Sequence, residues 1–251
     1  MSNDFCIIIP SRISSTRLEK KPLVDLNGKT LIQRVFNNAL EITSNTYVAT
    51  DSEEIKSNII NISPNIVMTS DTHISGTDRI FEAAKILNIA DNTLIINLQG
   101  DEPFLPRQLV KKIIKDYFMN KCDVITCSNK IIKQKDISDP NCVLVETDTR
   151  NFAIKFTRDG AIKNPNRHIG IYGYSLKTLK ELVSLKPTKN ELSLKLEQLR
   201  FLENDYSIYV SKYNGEIPRG IDTKEDLEFA NQYLKKLWIY IKIIKSLIHW
   251  G

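Results

Sequence analysis

The stretch Phe5–Lys29, FCIIIPSRISSTRLEKKPLVDLNGK, decides how the rest of the chain is read. Phe5 to Ile9 is apolar without alternation, the pattern of a strand buried on both faces, as in the middle of a parallel sheet. Pro10, which offers no N–H to a ladder, is expected to end it. The loop that follows carries Arg12, Arg17, Lys20 and Lys21 among the hydroxyls Ser11, Ser14, Ser15 and Thr16. A buried strand opening onto such a loop reads either as a phosphate cradle, with charge from the cations and directional donors from hydroxyls and backbone N–H groups, or as a solvated basic loop.

Working outward, Thr30–Ile42 places Leu31, Val35, Ala39 and Ile42 on one helical face behind the N-cap Thr30. Thr46–Thr50 is a second strand ending in Asp51, Ser52 opens a short helix with acids in its first turn, and Ile66–Met68 is a third strand. That succession is βαβ and implies a parallel sheet. A polar stretch, Thr69–Arg79, precedes a helix over Ile80–Leu87. Leu94–Leu98, apolar except for Asn97, is another strand, running into Gln99-Gly100-Asp101-Glu102-Pro103. A helix over Pro106–Phe118 and a strand over Asp123–Cys127 follow.

The rhythm changes near residue 130. Val143–Glu146 and Phe152–Phe156 read as a hairpin about the turn Asp148–Asn151, and Arg158–Arg167 as a loop. His168–Tyr174 is a strand, Leu176–Leu185 and Leu192–Leu202 are helices, Tyr206–Val210 is a strand, and Gly220-Ile221-Asp222-Thr223 introduces a last helix through Lys236. The expected architecture is α/β: a doubly wound, mostly parallel sheet with a small, partly antiparallel β insertion. We expect one domain over 1–236, with a first half at about 1–130, an insertion at about 131–215, and an apolar extension at 237–251.

The totals agree with one large domain. The chain has 251 residues, 41% of them apolar, and a net charge of +5 from 35 basic and 30 acidic residues. That charge is too mild to indicate nucleic acid, and an anionic small substrate is equally consistent with it. Cys6, Cys122, Cys127 and Cys142 lack zinc spacing, and with a polar start of the chain they read as reduced cysteines of the cytoplasm. Leu237–Gly251 has Trp238, Lys242, Lys245 and His249 at helical spacing on an otherwise apolar segment. It is too short to span a bilayer. It reads as an interfacial membrane helix, as a segment packed on the body or on a second subunit, or as an irregular extension.

In a doubly wound sheet, ligands bind outside the carboxyl ends of the strands. The polar clusters Ser11–Lys21, Asp51, Ser75–Arg79 and Gln99–Glu102 each follow an expected strand. Two carboxylates from separate loops, Asp101 and Asp222, facing a basic loop suit Mg2+ and a triphosphate, because Mg2+ takes one or two carboxylates and completes its shell with phosphate and water. Asp222 alone also reads as the N-cap of the final helix. His168 and Tyr172 alternate on a strand and share one face, which fits core packing equally well. Glu197 and Arg200, three apart on a helix, read as a pair with each other. His73 and His249 carry no role.

Taken together, Pro10-Ser11-Arg12, Ser15-Thr16-Arg17-Leu18, Lys21-Pro22-Leu23, Val48–Asp51, Ser75–Arg79, Asn97–Pro103, His168–Tyr174, Leu196–Arg200 and Gly220–Thr223 resemble, in order, the motifs of the sugar-acid cytidylyltransferases. His168–Tyr174 and Leu196–Arg200 are closer to the branch acting on 3-deoxy-manno-octulosonate (KDO) than to the sialic-acid branch. The resemblance implies a Rossmann-like nucleotidyltransferase fold and a homodimer that makes CMP-KDO and pyrophosphate from CTP and KDO for lipopolysaccharide synthesis. It implies nucleotide binding by Pro10, Ser11, Arg12, Arg17, Lys21, Ser75, Gly76, Thr77, Arg79 and Gln99. Gln99, Arg158, His168, Tyr172, Glu197 and Gln198 match the sugar pocket, and Asp101 and Asp222 match the Mg2+ ligands. Lys21, Arg12, Asp101 and Asp222 would carry catalysis. His168 is a candidate base or, better, a sugar-hydroxyl partner.

Two departures stand out. Glu19 and Lys20 occupy the place where the family usually has Pro-Gly, and only Asp159–Arg167 separate Arg158 from His168, where the family has a longer loop. Two other readings follow from them: a cytidylyltransferase for another acidic sugar, and a degenerate paralogue that binds nucleotide or a partner without catalysis.

Overall fold

Strand β1 (Phe5–Ser11) lies inside a nine-stranded sheet, and Ile7, Ile8 and Ile9 are fully buried. A computed structural model describes residues 4–15, 17–130, 137, 139, 142–158 and 162–248. β1 runs through Pro10 instead of stopping there, and Pro10 and Ser11 pair with Ala49 and Thr50 of β2 (Thr46–Thr50). The reason is positional. Pairing with β4 (Leu94–Asn97) ends at Ile8, whose carbonyl faces that side and accepts from Leu98 N at 3.2 Å. Pro10 shares the parity of Ile8, so its missing N–H points where β4 has already left the ladder.

The sheet order is β3-β2-β1-β4-β8-β5-β9, with β3 over Ile66–Met68, β5 over Val124–Lys130, β8 over Asn166–Ser175 and β9 over Ile208–Tyr213. β1, β2, β3 and β4 are mutually parallel. β8 enters between β4 and β5, antiparallel to both, and β5 pairs parallel with β9. The antiparallel part is therefore built into the sheet. The expected hairpin is present as β6 (Leu144–Thr147) and β7 (Ala153–Thr157), joined to the sheet through β6 and the start of β8.

Side-chain parity sorts the core into two layers. Ile7 and Ile9 pack with Val35, Phe36, Ile96 and Ile113 on one face, while Cys6 and Ile8 pack with Ile80, Ile95, Phe156 and Tyr174 on the other. Gly173 is required between the strands, since a Cβ there would lie 2.8 Å from Ile125 Cγ2 and 3.0 Å from Ile96 Cδ1. A side chain there would force the Ile125 and Ile96 side chains to shift.

The helices are α1 (Leu31–Leu40), α2 (Glu53–Ile59), α3 (Gly76–Ile86), α4 (Arg107–Met119), α5 (Leu176–Leu182), α6 (Lys189–Leu194), α7 (Gln198–Leu202) and α8 (Lys224–Ile248). Three differ from expectation. α3 starts early, because Ser75 and Asp78 form a capping box. The single helix expected over Leu192–Leu202 is broken at Lys195, which adopts a left-handed conformation (φ 53°) and ends α6. α8 does not stop at Lys236 but continues through most of the apolar extension, and residues 249–251 lie outside the described ones. Among the described residues, no helix is long and apolar enough to cross a membrane.

Candidate active site

The carboxyl ends of β1 and β4 open into a cavity of about 280 Å3. Pro10, Ser11 and Arg12 border it from β1 and its loop, with Ser14, Ser15, Arg17 and Lys21 further along. Thr16 lies outside the described residues. Gln99, Gly100 and Asp101 come from the end of β4, and Ser75, Gly76 and Arg79 from the start of α3. Asp222 arrives from the far end of the chain, held by the bond from Ile221 N to Asp101 O (2.9 Å).

Lys21 is the hub of this cavity. It begins a single 3-10 turn, Lys21–Leu23, with Pro22 fixing the backbone just inside. Its Nζ donates to Asp101 Oδ2 at 2.6 Å and to Asp222 Oδ1 at 3.0 Å. Arg17 Nη2 also lies 3.0 Å from Asp222 Oδ1. Burial works to lower the pKa of the Lys21 ammonium, but Asp101 and then Asp222 outweigh it and hold the group above its ordinary value. Behind them, burial and the charges of Asp101 and Asp222 push the Glu102 carboxyl up to about 8, against the pull of Arg167. Arg12 is exposed at the rim and forms no ion pair among the described residues.

Asp222 is not the cap of α8. Thr223 fills that role: its Oγ1 accepts from Asp226 N at 3.1 Å, and Asp226 Oδ2 accepts from Thr223 N at 2.9 Å. The Asp222 carboxylate is thereby left to the cavity. Asp101 and Asp222 reach the same nitrogen atom, so two hard oxygen donors converge on one cation position beside a cationic loop. That donor set fits Mg2+, which needs few protein ligands when phosphate supplies the rest. Among the described residues, no group of three or more His, Cys, Asp or Glu forms a metal cage.

The opening of α3 forms a second wall. Gly76 lets the helix close on β1, since a Cβ there would sit 3.3 Å from Pro10 Cγ. The positive end of an eleven-residue helix then faces the cavity. The Ser75 hydroxyl caps that helix, accepting from Asp78 N at 3.1 Å. Arg79 is buried, with one nitrogen 2.6 Å from Thr69 Oγ1 and another 2.6 Å from Asp51 Oδ2. Ser11 Oγ is buried without a hydrogen-bond partner among the described residues. Sequence reasoning assigned nothing to His73, yet it lines the cavity with its Nε2 bonded to Glu82 Oε2. Burial works to raise the Glu82 pKa, but His73 and the Ser70 N–H prevail and hold it below the carboxylate norm. The signal was the nine-residue spacing from His73 to Glu82, invisible until the loop before α3 folds back.

Of the residues matched to a sugar pocket, Gln99 lines the cavity and donates to Asn97 Oδ1 at 2.9 Å. Arg158, His168, Tyr172, Glu197 and Gln198 do not line it. His168 is buried between Phe156 and Tyr172, and its Nε2 lies 2.8 Å from Thr126 Oγ1. Burial, with the nearby Arg158 charge, lowers its pKa to about 3. Burial first, and then Glu197, raise the Tyr172 hydroxyl well above its usual pKa. Arg158 Nε donates to Leu194 O at 3.3 Å. Gln198 is buried. Thr77 is buried too and reaches Glu197 instead of the cavity. The expected Glu197–Arg200 pair is absent: Arg200 turns to Glu191, at 2.8 and 2.5 Å. Of the short loop after Arg158, residues 159–161 lie outside the described residues.

A family model described as Cytidylyltransferase matches residues 6–208. A 3-deoxy-manno-octulosonate cytidylyltransferase of Rickettsia bellii (strain OSU 85-389) is 38% identical over 238 residues, covering 93% of this chain and 97% of the relative. One of Polynucleobacter necessarius subsp. necessarius (strain STIR1) is 36% identical over 245 residues, covering 93% and 96%. The solved structure of CMP:2-keto-3-deoxy-manno-octonic acid synthetase complexed with CTP superposes with a TM-score of 0.86 at 30% identity, covering 93% of this chain and 99% of that one. With a cation-rich loop, paired carboxylates and a helix terminus meeting at the end of β1 in a chain so matched along its length, the protein belongs to the cytidylyltransferase family, in the 3-deoxy-manno-octulosonate cytidylyltransferase branch.

Proposed function

We propose that this protein transfers CMP from CTP to KDO, giving CMP-KDO and pyrophosphate. The observation that carries the reading is the meeting of Lys21, Asp101 and Asp222 in the cavity at the end of β1. The relatives' names and the CTP complex of the structural neighbour support it.

In this reading the triphosphate lies against the loop Ser11–Lys21 and the start of α3. Arg12, Arg17 and Lys21 meet its charge, and Pro10, Ser75, Gly76, Arg79 and Gln99 wall the nucleoside end. The anomeric hydroxyl oxygen of the sugar forms a bond to the α-phosphorus and gives up its proton to water, the bond from that phosphorus to the bridging oxygen breaks, and the electron pair leaves with pyrophosphate. Both reactants are anions, so the residues act by positioning them and neutralising charge. Mg2+ held by Asp101 and Asp222 would supply a Lewis acid for the phosphate and acidify a bound hydroxyl. Thr77 orders Glu197 behind this wall, and the cluster of Arg158, His168, Tyr172 and Gln198 supports the sugar side. A homodimer in the cytoplasm feeding lipopolysaccharide synthesis completes the proposal.

Pyrophosphate release from CTP, KDO and Mg2+ tests it. Turnover with KDO and none without sugar is expected. Equal or faster turnover with another sugar acid would move the assignment to that sugar, and CTP binding without any release would mark a non-catalytic paralogue.

A further inference from the structure

The two carboxylates that suit a divalent cation are already satisfied by this chain's own cations. Lys21 Nζ bridges Asp101 and Asp222, and Arg17 shares the same oxygen of Asp222. The arrangement has an electrostatic cause. Asp101 and Asp222 aim carboxylate oxygens at one point in the cavity, where their mutual repulsion is costly without a cation between them. Lys21 reaches that position on a flexible four-carbon stem, only 20% exposed, from a turn at the cavity floor.

We propose that Lys21, assisted by Arg17, is a resident counter-ion that occupies the divalent-cation position in the free protein and is exchanged onto the phosphates when nucleotide and metal enter. This rests on the metal-assisted reading above. An ammonium and a divalent cation cannot both take the same carboxylate oxygens, so Lys21 opposes metal binding while the triphosphate is absent. The triphosphate offers Lys21 and Arg17 an equivalent anion and so frees Asp101 and Asp222. Metal and nucleotide then strengthen each other's binding, by the same factor in both directions. The exchange also brings the cations onto the leaving group only when the metal site is filled.

The test titrates Mn2+ alone into nucleotide-free protein and follows the electron paramagnetic resonance signal of the free ion. Lys21→Gln is expected to bind Mn2+ roughly tenfold more tightly than wild type, within the usual range of coupling between sites. Lys21→Arg, which keeps the charge, stays near wild type. Adding Asp101→Asn to Lys21→Gln removes the gain. Arg17→Gln, at an exposed position, gives a smaller gain in the same direction. The proposal is overturned if neither neutral variant binds Mn2+ more tightly than wild type. Water-proton relaxation of Mn2+ in the presence of CTP separates this from failure of the metal reading. If the enhancement is lost in Asp101→Asn while Lys21→Gln gains nothing, the metal reading stands and the exchange does not. If Asp101→Asn keeps the enhancement, both fall.

Discussion

Thr77 Oγ1 donates to Glu197 Oε2 at 2.7 Å, joining the first turn of α3, at the nucleotide wall, to the start of α7. Burial raises the Glu197 pKa, and the Thr77 bond opposes that rise. Thr77→Val keeps the shape and deletes the donor, leaving a poorly hydrated carboxylate short of a partner. A loss of about 1–3 kcal/mol in urea denaturation is expected, with Thr77→Ser close to wild type. Equal stability of the Val and Ser variants would remove the bond from the account.

Asp101→Asn and Lys21→Ala each delete one member of the charge cluster in the cavity. Losing a preorganised electrostatic partner costs on the order of 2.7–4 kcal/mol in the transition state. Turnover in the pyrophosphate assay should fall at least about a hundredfold in either variant. Near-wild-type turnover would sink the assigned roles.

The Arg79–Asp51 pair is mostly out of water, at 3% and 12% side-chain exposure. Asp51→Ala strands a guanidinium in the core, and removing one member of such a pair typically costs about 3–5 kcal/mol. Chemical denaturation should register that loss. The Michaelis constant for CTP should rise as well, because Arg79 also borders the cavity.

His168 gives the fold a defined response to acid. Its ordinary pKa of 6.5 falls to about 3 in the folded protein, with burial the leading cause. Below pH 6.5 the unfolded chain takes up a proton that the native one refuses, so stability falls as pH falls through this window. From pH 6.5 to 5 the loss from this group is about 1–2 kcal/mol. His168→Gln should flatten the pH dependence of urea stability by that amount, and an unchanged slope would mean that the ring titrates freely.

Lys20, at the site of the usual glycine, adopts φ 46° and ψ 41°, the left-handed conformation that glycine favours, and its Nζ lies 2.9 Å from both carboxylate oxygens of Glu54. Lys20→Gly relieves about 1 kcal/mol of backbone strain but restores about as much freedom to the unfolded chain. Thermal stability should therefore change by no more than about 0.5 kcal/mol in either direction. A larger loss would show that the exposed pair with Glu54 matters more than such pairs usually do.

The parallel half of the sheet and its cavity were legible because they follow from local pattern: unbroken apolar runs, each opening onto polar residues. Arg12, Lys21, Asp101 and Gln99 sit at strand ends where such loops must converge. The place of β8 was not legible, since Gly173 reveals its close fit only beside Ile96 and Ile125 of two other strands. Lys195 carries no sequence mark of its left-handed turn, so one apolar period was read through a break. The partners of Glu197 and Arg200 depended on that break. Asp222 looked like a cap because Thr223 and Asp226 form the capping box just one residue further on.

The insertion of β8 between β4 and β5 also sets an order of events during synthesis. A ribosome releases β1 to β5 well before Asn166–Ser175 exists. Until then β4 presents a bare row of backbone donors and acceptors, the template on which chains pair with one another, and β5, whose other neighbour β9 comes later still, presents two. The nascent chain must therefore carry open edges at β4 and β5 until a single ten-residue strand bridges the two, and fragments ending before Asn166 should aggregate rather than persist as a stable half-molecule.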